Sequence, residues 1–116
     1  MVARDITDNE QMDYNTIYAA CRGTTKHIGT SFTGPDYVGP CVDILQIIAG
    51  DEATWRARPF VSNSNCFVVP PMKFATESCV VMERCIEAGM PVLLLSAGQA
   101  GATAPAPIAA TITQAV

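Results

Sequence analysis

Two asparagines stand at i and i+2 in "PFVSNSNCFVV", residues 59–69, a run otherwise rich in strand formers. A strand disfavours asparagine unless something holds it, and alternate positions share one face. Asn63 and Asn65 are therefore candidates for hydrogen bonding to a ligand. The alternation leaves the choice of face open: if that pair looks outward at helices, Ser62 and Ser64 form the inward pair. Phe32 and Phe67 lie near strand ends, where an aromatic ring is either packing or a contact surface. Gln99 is the one long polar side chain in the small-residue run "SAGQAGATAPAP".

Other reactive residues fit established chemistries poorly. Five cysteines and one histidine invite zinc, but Cys79 and Cys85 fall on a helix, Cys66 alone is near a strand end, and no ligand spacing appears. No metal site is assigned. The cysteines are an odd set without CxxC spacing, mostly in apolar stretches, as suits reduced core thiols. Lys73 follows a double proline after a strand and is a nominal Schiff-base lysine, yet it sits in a loop at a helix start, where a solvated or paired lysine is the plainer reading. His27 precedes its strand, which favours a capping or turn role. "GQAGATAP" has the wrong glycine spacing for a dinucleotide fingerprint, and no nucleophile elbow, phosphate loop or HExxH motif occurs.

The elements that must position these residues follow from periodicity. A helix is predicted over 12–22 after a polar lead-in (1–14), then a short strand over 27–32. Val38, Val42, Leu45, Ile48 and Ala49 make a helical stripe stopped by Gly50, and residues 51–58 form a second short helix. The strand 59–69 follows. "KFATESCVVMERCIEAG" places Val81, Met82, Cys85 and Ile86 on one face, with Gly89 as its stop. "MPVLLLSAG" reads as a parallel strand buried on both faces, and Pro107 begins a last helix. Three strand-helix units in succession, with strands too far apart for hairpins, give an α/β fold built on a parallel sheet. Three strands cannot close a barrel, which needs eight units and roughly 250 residues. The chain is expected to be a piece of something larger.

Composition narrows the partners. The 116 residues are 49% hydrophobic and 16% charged, with a net charge of −4. The basic residues are scattered singly, so no stripe exists to neutralise phosphates or an anionic membrane. Nucleic acid and membrane partners are not expected. "MVARDITDNEQMDYN" lacks the basic start and apolar core of a signal peptide, which points to the cytoplasm.

The ordered set "KHIGTSF", "RPFVSNSNCFVVPPMKF", "AGMPV" and "GATAP" resembles the trimethylamine methyltransferase family, including members that lack pyrrolysine and act on betaines. The resemblance runs from about residue 15 to the C-terminus. It implies a (β/α)8 TIM barrel that moves a methyl group from a tertiary or quaternary amine to the cobalt of a corrinoid (cobalamin) carried by a partner protein. The chain would then be one segment, 1–116, holding about three barrel units of a homo-oligomeric enzyme. It contains no pyrrolysine, which favours a quaternary-amine relative or reflects sequence lying elsewhere.

A barrel of this kind carries its site at the C-terminal strand ends, nominating Thr30–Thr33, Ser62–Val69 and Ser96–Thr103. A quaternary ammonium has no N–H to donate, so aromatic faces, carboxylates and polar groups must recognise it. The implied substrate contacts are Phe32, Asn63, Asn65, Phe67 and Gln99; no catalytic residue is assigned. The competing readings are another barrel enzyme, a lyase or aldolase depending on Lys73, and a non-catalytic segment.

Overall fold

The computed structural model describes residues 5–69, 73–96 and 98–115. Helix α1 covers Asn9–Gly23 and leads into strand β1, Ile28–Thr30. A turn of 3-10 helix at Pro35–Tyr37 opens α2, Val38–Ala49, and α3 follows at Glu52–Ala57. Then come β2 (Val61–Val69), β3 (Lys73–Phe74), α4 (Thr76–Glu87), β4 (Val92–Ser96) and α5 (Ile108–Ala115).

Local chemistry explains most boundaries. Gly50 adopts φ 105° and sends its N–H back to the carbonyls of Gln46 and Ile47, ending α2 in a conformation that L side chains avoid. Asp51 caps α3: its Oδ1 accepts from the Thr54 N–H at 2.6 Å, and that bond holds its carboxyl below the usual carboxylate range. Gly89, at φ 74°, lets Met90 N–H reach the Cys85 carbonyl at 2.9 Å and so closes α4. A Cβ at Gly89 would also press on the Arg56 side chain at 3.2–3.3 Å.

Strand β2 is the centre of the sheet. β1 runs parallel to its start, with Ile28 opposite Val61 and Thr30 opposite Asn63. β4 runs parallel from Asn63↔Val92 to Val68↔Ser96, with a register shift between Cys66 and Val68. Helices pack on one face. Along β2, Val61, Asn63 and Asn65 are buried while Ser62 and Ser64 are only half-buried, and Ile28 and Thr30 of β1 share the buried side. The core under the helices combines these with Ile17, Val38, Cys41, Leu45, Trp55, Val81 and Cys85. Burial pushes the Cys41 and Cys85 thiols up to about 12, and all five cysteines are free.

Several expectations are corrected. α1 begins at Asn9, inside the polar lead-in, and β1 is shorter than 27–32. A hairpin does occur: β3 folds back antiparallel on the end of β2, pairing Val68 with Phe74 and Val69 with Lys73. Lys73 is therefore a strand residue, and α4 starts three residues later, at Thr76. Two residues are too few for any period to register. The double proline before them lies outside the described residues. Ile48 and Ile86, assigned to buried stripes, are exposed; in α2 the inward position belongs to Cys41. The largest departure is β4, whose leucines were expected to be buried on both faces. Leu93, Leu94 and Leu95 are 56%, 55% and 43% exposed, because no described strand pairs with its outer edge and no described element covers the sheet face opposite the helices.

Candidate functional site

The C-terminal ends of β1 and β2 meet the first turn of α4 around a small cavity of about 70 Å3. Phe32, Thr33 and Gly34 line it from the loop after β1, Asn65 from β2, and Glu77, Ser78 and Val81 from α4. The loop is held from behind. Thr33 donates both its backbone N–H and its hydroxyl to Asp13 Oδ2 of α1, each at 2.9 Å. Asp13 is buried, and desolvation raises its carboxyl above the ordinary value even though both Thr33 bonds pull the other way. Asn65 donates from Nδ2 to the Ser78 carbonyl at 2.8 Å, tying the end of β2 to the start of α4.

The lining residues supply one ring, one carboxylate, one amide, hydroxyls and the apolar Val81, with no lysine or arginine. The volume is that of roughly two waters in the liquid, less than a methylated ammonium head fills.

The structure brings Phe32 and Asn65 of the five nominated residues to this cavity. Asn63 lies on the same face of β2, nearer the strand start, flanked by Thr30 and Val92. Its Nδ2 is buried without a hydrogen-bond partner, a costly state for an amide. Replacement by Leu, which occupies similar space without a donor, is expected to leave the melting temperature unchanged or raise it. A loss of roughly 2 kcal/mol in urea unfolding would show instead that the amide binds its neighbours.

Phe67 lies within the register shift and stacks on Phe74 of β3, centroids 6.1 Å apart with rings 14° from parallel. Gln99 has an exposed side chain; its backbone organises the turn, its carbonyl accepting from the N–H groups of Ala102, Thr103 and Ala104 at 3.0–3.1 Å. Gly101 takes φ 81° there, and Gln114 of α5 donates to the Thr103 carbonyl at 3.0 Å. Ala97 lies outside the described residues. Asn63 and Asn65 look toward the helices, so Ser62 and Ser64 are the pair on the opposite face, the inward one of a barrel; His27 is on that face too, its Nε2 2.9 Å from Ser62 Oγ at the N-terminal end of the sheet. Lys73 is exposed on β3, unlike the buried setting of a Schiff-base lysine. Glu77 was missed because the amphipathic pattern of α4 assigns it to a solvated face. Its place in the first turn after a strand was the available signal.

Parallel strands with helices between them define an α/β segment. The chain belongs to the trimethylamine methyltransferase family: the family model described as Trimethylamine methyltransferase (MTTB) matches residues 1–116. It is 30% identical over 115 residues to trimethylamine methyltransferase MttB1 of Methanosarcina mazei, an alignment covering 95% of this chain and 22% of that protein. No described helix is long and apolar enough to cross a membrane.

Proposed function

We propose that the chain supplies three successive strand-helix units of a (β/α)8 barrel that transfers a methyl group from a methylamine or betaine to the cobalt of a corrinoid protein. The family match over the whole chain carries this reading. The parallel pairing of β1, β2 and β4 in chain order supports it, as do the exposed leucines of β4, which a barrel would bury. The cobalt is then brought by a partner protein, and no residue of this chain is assigned to it. The free thiols suit a cytoplasmic enzyme.

On this reading the loop after β1 and the first turn of α4 border the substrate site from the C-terminal strand ends, with the Phe32 ring and the exposed Glu77 carboxylate available to the ammonium head; Asn65, which points to the helix side of β2, holds this wall through Ser78 and does not touch substrate. When the C–N bond of a quaternary amine breaks, its electron pair stays on nitrogen and the positive charge is lost. A carboxylate therefore favours bound substrate over the transition state, so Glu77 contributes to binding rather than to rate. In a methyl-transfer assay of the protein carrying this segment, Glu77→Gln is expected to raise KM roughly ten-fold with kcat held or increased. Phe32→Ala should raise KM as well. Unchanged KM in both variants would remove this wall from the substrate site.

A further inference from the structure

At the other ends of the strands, the turn after α1, the end of α2 and α3 enclose a cleft of about 490 Å3. That is the size of a small-molecule site. Ile28 and Phe60 form its apolar floor, with Ile48 on the wall and Lys26 and Arg58 at the rim. The two cations come from different elements, one from the turn after α1 and the other from the end of α3. Elsewhere, Arg22 bonds to Tyr18, Arg56 pairs with Glu52, and Arg84 pairs with Asp36, while Lys73 on β3 has no such partner among the described residues. Among the described residues, the Lys26 and Arg58 side chains have neither an ion pair nor a hydrogen bond, and no Asp or Glu lines the cleft. The nearby Asp51 carboxylate is turned to the N-terminus of its own helix. In a chain of net charge −4, two unpartnered cations over an apolar floor stand out.

We propose that this cleft binds a small amphipathic anion, its carboxylate or phosphate head between Lys26 and Arg58 and its apolar body on Ile28, Ile48 and Phe60. The head gains charge-assisted hydrogen bonds and the body leaves water. The plainer role for the two cations is to offset the carbonyl ends of α1 and α3, and it makes a different prediction.

In the protein carrying this segment, equilibrium dialysis with radiolabelled hexanoate is expected to show saturable binding. Inorganic phosphate should bind more weakly for want of a body, and hexylammonium should not compete. Lys26→Ala with Arg58→Ala, both exposed positions, should weaken hexanoate roughly ten-fold or more while circular dichroism stays native. The proposal is overturned if dialysis shows no hexanoate binding, if hexylammonium competes equally, or if the double variant binds as well as the parent. A lower melting temperature without any anion binding would leave only the helix-end role.

Discussion

Trp55→Ala is expected to lower the unfolding free energy by roughly 3–5 kcal/mol, the usual loss when a large buried aromatic leaves a void. Trp55 is completely buried, its indole N–H donates to the Ala88 carbonyl at 2.9 Å, and Phe60 packs on its edge. It thus joins α3, the lead into β2 and the end of α4, where Ala88 also closes the helix by bonding to the Arg84 carbonyl. Truncation leaves both a cavity and a carbonyl that has lost its indole donor. Against a typical total of about 5–15 kcal/mol, this unfolds a substantial fraction of the population. Urea titration followed by circular dichroism measures it. A loss below roughly 1 kcal/mol would mean that Trp55 does not join these elements. Trp55→Phe, which keeps most of the ring and loses the N–H, should fall between parent and Ala.

The second large effect is at Asp13. Asp13→Ala removes the acceptor of two Thr33 bonds and is expected to cost roughly 1.5–3 kcal/mol while freeing the loop that carries Phe32. The pH dependence has a definite sign. The folded-state pKa of Asp13 is raised, so the folded protein holds this proton more tightly than the unfolded chain does. Its contribution is greatest below the ordinary carboxylate value, declines as pH rises through the raised pKa, and is constant above it. Asp51, with its lowered pKa, acts in the opposite direction. The parent-minus-Asp13→Asn difference cancels Asp51 and isolates the Asp13 contribution. That difference should fall with rising pH through the acid range and then level off. A difference independent of pH would show that the two Thr33 bonds fully offset the desolvation of Asp13.

Much of the scaffold is legible because its signals are local. Gly50 and Gly89 end helices through their own φ, the Val38–Leu45 spacing marks a buried stripe, and β-branched density marks β2. The facing of Asn63 and Asn65 is not local. Alternation puts them together but does not say which side the helices cover, and only the packing of α4, through Ser78, settles it. Leu93–Leu95 show the converse, since an apolar run signals burial without naming the element that provides it. Of the cavity, Phe32 and Asn65 were readable as residue types suited to a ligand. Glu77 was not, because a helical carboxylate on a polar face reads as solvated, and it is exposed in the fold even though the loop after β1 lies beside it. The Asp13–Thr33 clamp spans twenty residues and has no sequence signature.

Amine demethylation with a corrinoid as acceptor, the proposed function, is read from the visible spectrum of a reduced corrinoid protein mixed with the protein carrying this segment, while trimethylamine, glycine betaine and related methylated amines are added singly. At least one amine is expected to drive methylation of the cobalt, and Glu77→Gln to shift its half-saturation upward. Failure of every amine, under conditions where a competent methyltransferase methylates the same corrinoid protein, would contradict it.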